Sequence, residues 1–394
     1  HAHTNSLILG ILILNLLYLN LLKNQKINIK NRYLWGLSFT LGFIFISNTW
    51  DFILYSFLII FILLIFNFKE ILSQWIKNLK TALLMIYPII LIALPWYVFF
   101  YSPGGSLGIV KNPTNLIKLF EFWGLYFVIS GIYFFTKLKY KLNKFEENFT
   151  FYLTIFSLLT ILLLEIFYVA DLLMNSIYYR ANTYYKFSNL VILLLSVSLS
   201  YFIGKLFLIP EKKSKILLGI IIFLIVLNIP ANLIIFKVKY KNPIFTGIYS
   251  QYTTVKDYDS DLLDLILYLN QSKKSNLVIL EGSGVCYSYT NLVSIYTGIP
   301  TVYGWDNHES TWRGTNNFQS EILKRKEIVL KIFTDSDLEE SKKILKEYKV
   351  NYIVISKSER ELYKENLKEE KLKNLGTIVF QKNDTFLIKT NIIP

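Results

Sequence analysis

Eight apolar stretches fill the first 236 of 394 residues, and they constrain the fold more than any other feature of the sequence. A helix needs about 20 residues to cross a hydrocarbon layer about 30 Å thick, and five of the stretches meet this length comfortably. The stretches cover approximately residues 7–22, 33–47, 52–68, 79–101, 117–136, 149–170, 187–208 and 216–236. They predict an α-helical polytopic membrane domain of about eight spans over residues 1–236.

The second and third stretches are short for a membrane span and are joined only by residues 48–51. They predict either two short spans or a re-entrant hairpin. Non-helical backbone at membrane depth persists only where it is buried in protein or lines a cavity. Asp51, at the tip of this pair, is therefore more interesting than an acid in a surface loop.

Basic residues in the gaps between the stretches alternate in number along the chain. The odd-numbered gaps contain 15 Lys and Arg, whereas the even-numbered gaps contain 4. Lys and Arg that flank short loops mark the cytoplasmic face. The even gaps, the N-terminus and everything after residue 236 are therefore expected outside, in a multi-pass protein of the cell membrane with an extracytoplasmic C-terminal domain.

The net charge of +14 does not indicate a nucleic-acid partner. Residues 1–236 contain 19 Lys and Arg against 8 Asp and Glu, a net charge of +11 that the membrane topology mostly explains. The rest of the chain contains 23 against 20, a net charge of +3, without a basic stripe. The single cysteine, Cys286, excludes an internal disulfide framework and a cysteine metal cage.

Residues 237–394 have the pattern of a soluble α/β domain. Predicted strands lie at 277–281, 301–303 and 351–356, with a hairpin of 376–381 and 385–389. Predicted helices lie at 261–270, 317–333, 335–348 and 358–367. Gly282-Ser283-Gly284 lacks the third glycine and the later acidic residue of a dinucleotide fingerprint, so no nucleotide cofactor is expected.

Three acids fall on the predicted outer side of the membrane domain: Asp51, Glu165 and Asp171. Ionisable groups at membrane depth are costly and are functional by default. One of these acids could act as a general base, or two could hold a divalent metal ion. The alternative is a structural salt bridge or helix cap, and a pair between Glu165 and Arg180 would suffice for Glu165.

Arg180 and Lys186, with Asn182 between them, are the cations of the sixth gap. An Arg fork and a Lys point charge at the outer interface suit a lipid-linked phosphate. The alternative is that both side chains snorkel to the membrane interface.

Residues 303–314 form the densest polar and aromatic segment of the chain. The predicted substrate-binding residues of this segment are Trp305, His308, Glu309, Trp312 and Arg313. Sugar rings stack on aromatic faces while polar side chains bond the hydroxyls, so the segment suits a carbohydrate. The alternative is a structural loop that docks the soluble domain onto the membrane domain.

His1 and His3 precede the first apolar stretch on the predicted outer side. Alternate histidines on an extended backbone can direct two imidazoles at one metal ion. The alternative is a frayed chain end. Because the chain starts abruptly beside a membrane stretch, we expect a missing N-terminal segment of the same protein upstream of residue 1.

These residues together resemble the YYY-domain membrane proteins of archaea and Chloroflexi. The most specific part is the Trp305…His308-Glu309…Trp312-Arg313-Gly314 segment, preceded by residues 294–301. The resemblance covers essentially the whole chain. Its further motifs are Asn48-Thr49-Trp50-Asp51, Arg180-Ala181-Asn182-Thr183 with Lys186-Phe187, His1-Ala2-His3, and Ser358-Glu359-Arg360 with Tyr363.

The resemblance implies that this chain is the C-terminal portion of a longer protein. The triple-tyrosine motif of the family, and a Gly-Asp-Leu before its His-x-His, would lie upstream of residue 1. Ala181 stands where a Met is common in the family. An aspartate in the missing segment could be an essential partner of His1 and His3.

The family layout resembles that of C-type glycosyltransferases, which take a sugar from a polyprenyl phosphate outside the membrane. Our leading hypothesis is such an enzyme, with membrane lipid and polyprenyl-phosphate sugar as partners. Since fold does not fix function, two alternatives stay open. One is a transporter or flippase of a lipid-linked or polar substrate, and the other is a non-catalytic protein of envelope assembly.

Overall fold

The computed structural model describes residues 2–24, 26–98, 106–170, 177–240, 252–271, 276–313 and 318–391, and the chain forms two compact units. The described residues of the first unit form eight helices and one short ribbon. The helices are α1 (Ala2–Leu22), α2 (Arg32–Ser47), α3 (Thr49–Ser73), α4 (Trp75–Tyr97), α5 (Leu116–Lys139), α6 (Phe145–Leu164), α7 (Ala181–Leu208) and α8 (Lys212–Tyr240). The ribbon pairs β1 (Leu107–Ile109) with β2 (Phe167–Val169).

Each of the eight apolar stretches contains a helix, although the helix of stretch 149–170 ends at Leu164 and β2 follows it. The number of candidate membrane spans in the described chain is seven rather than eight. The exception is α2, which has 16 residues. At 1.5 Å per residue, it is about 24 Å long and falls short of a typical hydrocarbon layer. The prediction of a polytopic helical membrane domain is confirmed, with the count of spans corrected by one.

A single residue, Asn48, separates α2 from α3 and reverses the chain direction. Its N–H donates to the carbonyl of Ile44 at the end of α2, while its side chain accepts from the N–H of Trp50 at the start of α3. Asn31 Nδ2 donates to Asn20 Oδ1 over 2.6 Å at the opposite end of α2. The two helices of this pair are therefore joined directly at Asn48, and α3 has a kink at Asn67.

Helices α6 and α7 run antiparallel, and polar pairs join them at both ends and in the middle. Glu147 and Lys205 form an ion pair of 2.8 Å at one end. Glu165, directly after α6, and Arg180, directly before α7, form one of 2.9 Å at the other. Thr154 Oγ1 donates to Ser198 Oγ between them. We call these two ends of the membrane unit the Lys205 end and the Arg180 end.

The Arg180 end also contains Asn48 and Asp51, because α3 runs antiparallel to α6. Phe61 contacts Phe156 and Phe66 contacts Phe149, so the start of α3 lies beside the end of α6. The basic residues of the odd gaps fall at the Lys205 end, and the two described candidate acids, Asp51 and Glu165, fall at the Arg180 end. The alternation that the basic residues predict is therefore present in the helix directions.

The second unit is an α/β domain around a four-stranded sheet. Its strands are β3 (Ile279–Leu280), β4 (Tyr352–Ile355), β5 (Gly376–Lys382) and β6 (Thr385–Thr390), in the order β3-β4-β6-β5. Strands β3 and β4 are parallel, and the other pairs are antiparallel. Thr301 adds a parallel bridge to Ile279 on the free side of β3.

The described residues of this unit also form eight α-helices. They are α9 (Thr253–Tyr258), α10 (Ser260–Gln271), α11 (Leu292–Thr297), α12 (Asp306–Arg313), α13 (Gln319–Thr334), α14 (Leu338–Glu347), α15 (Lys357–Tyr363) and α16 (Glu369–Lys373). The α/β class is confirmed, and so are the predicted helices from 261 onward and four of the five predicted strands, apart from shifts at their ends. The strand predicted at 301–303 is reduced to the single bridge at Thr301. The segment expected as a loop after Gly304 instead forms α12.

Candidate functional site

Asp51 lies in the first turn of α3 and is 5% exposed. Its Oδ2 accepts a hydrogen bond of 2.8 Å from Asn48 Nδ2 and another from the hydroxyl of Ser6 on α1. A carboxylate is stabilised at a helix N-terminus by the positive end of the helix dipole. The site therefore holds one buried acid between α1 and α3, at the Arg180 end.

Lys186 reaches the same region from α7. Its ammonium lies 4.2 Å from the centroid of the Trp50 ring, and the Phe187 ring contacts the same indole edge-on at 6.1 Å. A cation over a Trp face is attracted by the ring quadrupole. Because Trp50 directly precedes Asp51, Lys186 on α7 contacts the residue next to Asp51 in the chain.

Arg180 is instead engaged with Glu165. Its Nη1 lies 2.9 Å from Glu165 Oε2, and its Nη2 donates to Thr114 Oγ1 over 2.6 Å. Thr114 in turn donates to Glu165 from its backbone N–H (2.7 Å) and its hydroxyl (3.0 Å). The structural alternative weighed for Glu165, an ion pair with Arg180, is present in this closed network.

The network also sets the acidity of Glu165. Burial favours the neutral acid, but hydrogen bonds from the Thr114 N–H and from the Arg180 guanidinium outweigh it and lower the pKa of Glu165. A carboxylate with a lowered pKa is a weaker base. Glu165 therefore suits a permanent negative charge better than proton transfer.

The two cations of the sixth gap have different neighbours. Arg180 contacts Glu165, Thr114 and the ring of Tyr184, whereas Lys186 contacts Trp50. Arg180 and Lys186, six positions apart in the sequence, therefore contact different residues. Asn182 lies half-buried in the first turn of α7.

Three rings meet in the second unit: Tyr287, Trp305 and His308. Every pair of ring centroids lies between 5.4 and 5.5 Å apart. Trp305 Nε1 donates to the carbonyl of Thr290 over 3.0 Å, which fixes the indole in place. Tyr287, which the sequence analysis missed, is 82% exposed and has a φ of 61°, a conformation that is rare for a bulky residue.

This ring cluster stands at the carboxyl ends of the parallel strands. The loop after β3 and the loop after Thr301 are tied together, since Ser283 Oγ donates to Gly304 O over 2.5 Å and Asp306 N donates to Gly284 O over 3.2 Å. Ligands of α/β sheets bind outside the carboxyl ends of the strands. The position is thus one where a binding site is expected on general grounds.

The remaining predicted residues of this segment lie on α12. Asp306 accepts from Tyr303 Oη (2.5 Å) and from Lys326 Nζ (2.9 Å), and these two hydrogen bonds lower its pKa. Glu309 is half-buried and its carboxylate faces Gly304, where a Cβ would lie 2.7 Å from its Oε1. The side chains of Trp312 and Arg313 lie outside the described part of the structure.

Two buried acids support the loops beneath the ring cluster, and sequence reasoning missed them as well. Glu281 accepts from the N–H groups of Val293 and Ser294, both at 2.8 Å, and Glu359 accepts from Gly282 N over 3.0 Å. Burial and the neighbouring Glu359 raise the pKa of Glu281 to about 8, and burial raises the pKa of Glu359. The Ser356…Glu359 spacing of a capping box was the available signal for Glu359.

The predicted metal ligands are not tested. Asp171, His1 and the side chain of His3 lie outside the described residues. Within the described residues, no group of three or more His, Cys, Asp or Glu side chains could hold a metal ion. A divalent metal ion therefore stays a sequence prediction.

Residues 1–147 match the family described as uncharacterized membrane protein (DUF2298). The match covers α1 to α5 and the start of α6, and so includes Asp51. No curated protein matches the chain. With the seven candidate spans, the match identifies a multi-pass membrane protein.

Proposed function

We propose that the chain transfers a sugar from a polyprenyl phosphate to an acceptor hydroxyl at the Arg180 end of its membrane unit, on the extracytoplasmic face. The single observation that carries the proposal is the neighbourhood of Asp51 and Lys186, in which a buried acid follows the indole that Lys186 covers at 4.2 Å. The resemblance to YYY-domain proteins, and of their layout to C-type glycosyltransferases, points to the same chemistry.

Asp51 acts as the general base in this proposal. The acceptor oxygen attacks the anomeric carbon while Asp51 takes its proton. The bond from the anomeric carbon to the phosphate oxygen breaks, and the polyprenyl phosphate leaves with the bonding electrons. Ser6 and Asn48 both donate to Asp51 Oδ2 and orient the carboxylate.

Lys186 stabilises the leaving phosphate. Its ammonium is a point charge that the Trp50 face holds near the first turn of α3, so negative charge that develops on the leaving oxygen is met by a fixed cation. Arg180, which Glu165 and Thr114 engage, positions the first turn of α7 and therefore Lys186. In this proposal Lys186 binds the phosphate and Arg180 positions Lys186, whereas the sequence predicted that both residues bind the phosphate.

The ring cluster of Tyr287, Trp305 and His308 binds a carbohydrate in this proposal. The observation in its favour is that three rings gather where the parallel strands end. Glu309, on the same helix as His308, supplies a polar group for sugar hydroxyls. Titration of Tyr287→Ala with the donor and with the acceptor distinguishes which of the two the rings bind.

The test is transfer of label from a radioactive sugar on polyprenyl phosphate to the envelope fraction by the full-length protein in native membranes. Removing a general base costs about 100- to 10,000-fold in rate, so Asp51→Asn should abolish most transfer. Lys186→Ala should lower it strongly. The matched controls are Glu121→Gln and Lys118→Ala, two exposed residues of α5 whose loss should leave transfer unchanged.

Equal transfer by the parent protein, Asp51→Asn and Lys186→Ala would overturn the proposal. An absence of transfer by the parent protein, together with movement of the labelled lipid between leaflets, would favour the flippase alternative. An absence of both activities would favour a non-catalytic role in envelope assembly. Loss of transfer in Arg180→Ala but not in Lys186→Ala would show that Arg180, rather than Lys186, binds the phosphate.

A further inference from the structure

The ribbon of β1 and β2 has one face made only of apolar side chains. In its antiparallel register, Leu107 pairs with Val169 and Ile109 pairs with Phe167. Residues directly opposite each other, and residues two apart on one strand, share a face of a sheet. Leu107, Ile109 and Phe167 are 75%, 72% and 42% exposed. Four apolar side chains therefore form one open surface, which we call the ribbon face.

The opposite side of the ribbon is packed against the membrane unit. Gly108 pairs with Tyr168, and a Cβ at Gly108 would overlap the Tyr168 ring. Tyr168 contacts Tyr179 edge-on at 4.8 Å, and the Tyr179 hydroxyl accepts from the N–H groups of Lys111 and Asn112. The ribbon is thus held with a fixed orientation, and the ribbon face cannot turn inward.

The ribbon is continuous with helices that face lipid. Strand β2 begins two residues after Glu165, where the candidate span of α6 has just ended, and β1 lies seven residues before the start of α5. The neighbouring turns of α5 and α6 also expose large apolar side chains, such as Leu116 (79%), Phe120 (57%) and Leu162 (56%). The apolar surface of the spans therefore continues into the ribbon.

We propose that the ribbon face inserts into the membrane interface at the Arg180 end and binds the acyl chains of the adjoining leaflet. A small apolar surface of this kind has little reason to face water, whereas lipid is already present at the ends of α5 and α6. The ribbon has only two strands, so no third strand pairs with the backbone groups at its outer edges, although Thr183 bonds those of Val169. These groups must stay near the headgroups, because the hydrocarbon interior offers them no partners.

The insertion has a consequence for the site. Thr114, five positions after Ile109, accepts from Arg180 Nη2 over 2.6 Å, and Val169 N donates to Thr183 Oγ1 on α7 over 3.0 Å. Both contacts tie the ribbon to the segment that contains Arg180 and Lys186. The ribbon face therefore sets the depth of the Arg180 end in the bilayer, independently of whether the protein transfers a sugar.

The experiment is depth-dependent quenching of an environment-sensitive fluorophore on the full chain in phosphatidylcholine nanodiscs. In a Cys286→Ser background, the label is placed by Ile109→Cys and separately by Leu107→Cys, so that a misfolded variant does not leave the question open. Both labels should show blue-shifted emission, and lipids with a nitroxide near the headgroup should quench most of their fluorescence. A nitroxide at the chain end should quench them less.

Three further positions calibrate the result. Phe223→Cys, within the candidate span of α8, should be quenched most by the deep nitroxide. Lys111→Cys, two residues beyond Ile109, and Leu330→Cys, in the second unit, should keep the emission of a label in water. Emission at 107 and 109 equal to that at 111 would overturn the proposal. Blue-shifted emission without lipid quenching would also overturn it, since protein would then cover the face.

Discussion

Arg180 Nη1 lies 2.9 Å from Glu165 Oε2, and this ion pair closes the Arg180 end of the α6–α7 pair as Lys205 and Glu147 close the other end. Lys205 lies on α7 and Glu147 on α6, while Arg180 and Glu165 directly flank these helices, so both contacts oppose sliding of one helix along the other. Glu165 and Arg180 are only 12% and 17% exposed at their side chains. The pair therefore fixes the position of the first turns of α7, where Lys186 lies.

Arg180→Ala should destabilise the membrane unit by about 3 kcal/mol, because breaking a buried pair from one side leaves an uncompensated charge. The measurement is chemical unfolding of the protein in detergent micelles. Arg180→Ala combined with Glu165→Gln should recover part of the loss, since no buried charge remains. A single variant as stable as the parent would show that the pair is solvated and does not hold the helices.

Gly10→Ala should destabilise the packing of α1 on α3. A Cβ at this position would overlap the Tyr55 hydroxyl, and Tyr55 is 1% exposed and cannot swing into solvent. Overpacking of this kind costs about 1–3 kcal/mol. The matched control is Gly131→Ala on α5, where nothing lies within 4 Å of the added Cβ.

The two glycine variants are compared by thermal unfolding in the same detergent. Gly131→Ala should be neutral or should gain up to about 1 kcal/mol, because Ala is the better helix former. Equal melting temperatures for the two variants would contradict the close contact of α1 with Tyr55. In membranes, Gly10→Ala should also lower transfer, because Ser6 and Asp51 lie at the same contact.

The sequence predicts the membrane unit well because the length of each apolar run can be compared directly with the length that a span requires. It overestimates the number of candidate spans by one, since the apolar run of α2 is a helix that is merely short. The ribbon escapes prediction because Leu107 and Val169 are distant in sequence, and the turn residues between 102 and 115 have no strand periodicity. Pairing over such a separation depends on tertiary structure rather than on local pattern.

For the candidate site, the sequence identifies the residues but not the contacts that they make. The few charges of the sixth gap mark Arg180, Lys186 and Glu165, but spacing alone does not reveal that Arg180 is engaged by Glu165 while Lys186 lies on Trp50. In the second unit, Trp305 and His308 stand out by composition. Tyr287 joins them only because the loops after two parallel strands meet.

The stability of the second unit should fall as pH rises from about 5 to about 8. Glu281 keeps its proton in the native state up to a pKa of about 8, whereas in the unfolded chain it ionises near 4.5. The unfolded state therefore binds fewer protons in this range, and the free energy of unfolding decreases with pH. Glu359, whose pKa is raised too, adds to the same trend.

Glu281→Gln should flatten this pH dependence, because the amide stays neutral and its oxygen can still accept from one of the two N–H groups of Val293 and Ser294. The measurement is hydrogen exchange of peptides from residues 278–296 in the full chain between about pH 6 and about pH 9, corrected for the intrinsic rate. Glu347→Gln, an exposed acid on α14, is the control and should keep the parent profile. An unchanged profile in Glu281→Gln would assign the pH dependence to another group.

Tyr287→Ala should weaken carbohydrate binding by the second unit although no backbone contact of the sheet is lost. The Tyr287 ring is 82% exposed, so its removal costs little packing, and Trp305 keeps its hydrogen bond to Thr290. Loss of one aromatic contact of about 0.5–1.5 kcal/mol corresponds to a roughly 2- to 12-fold higher Kd.

Titration of the full-length protein with an oligosaccharide acceptor and with the lipid-linked donor identifies which of them the rings bind. Tyr289→Ala, which removes an exposed ring stacked on Tyr258 rather than on Trp305, is the matched control and should leave both Kd values unchanged. If Tyr287→Ala binds both ligands as the parent does, the three rings are a structural contact that positions α12.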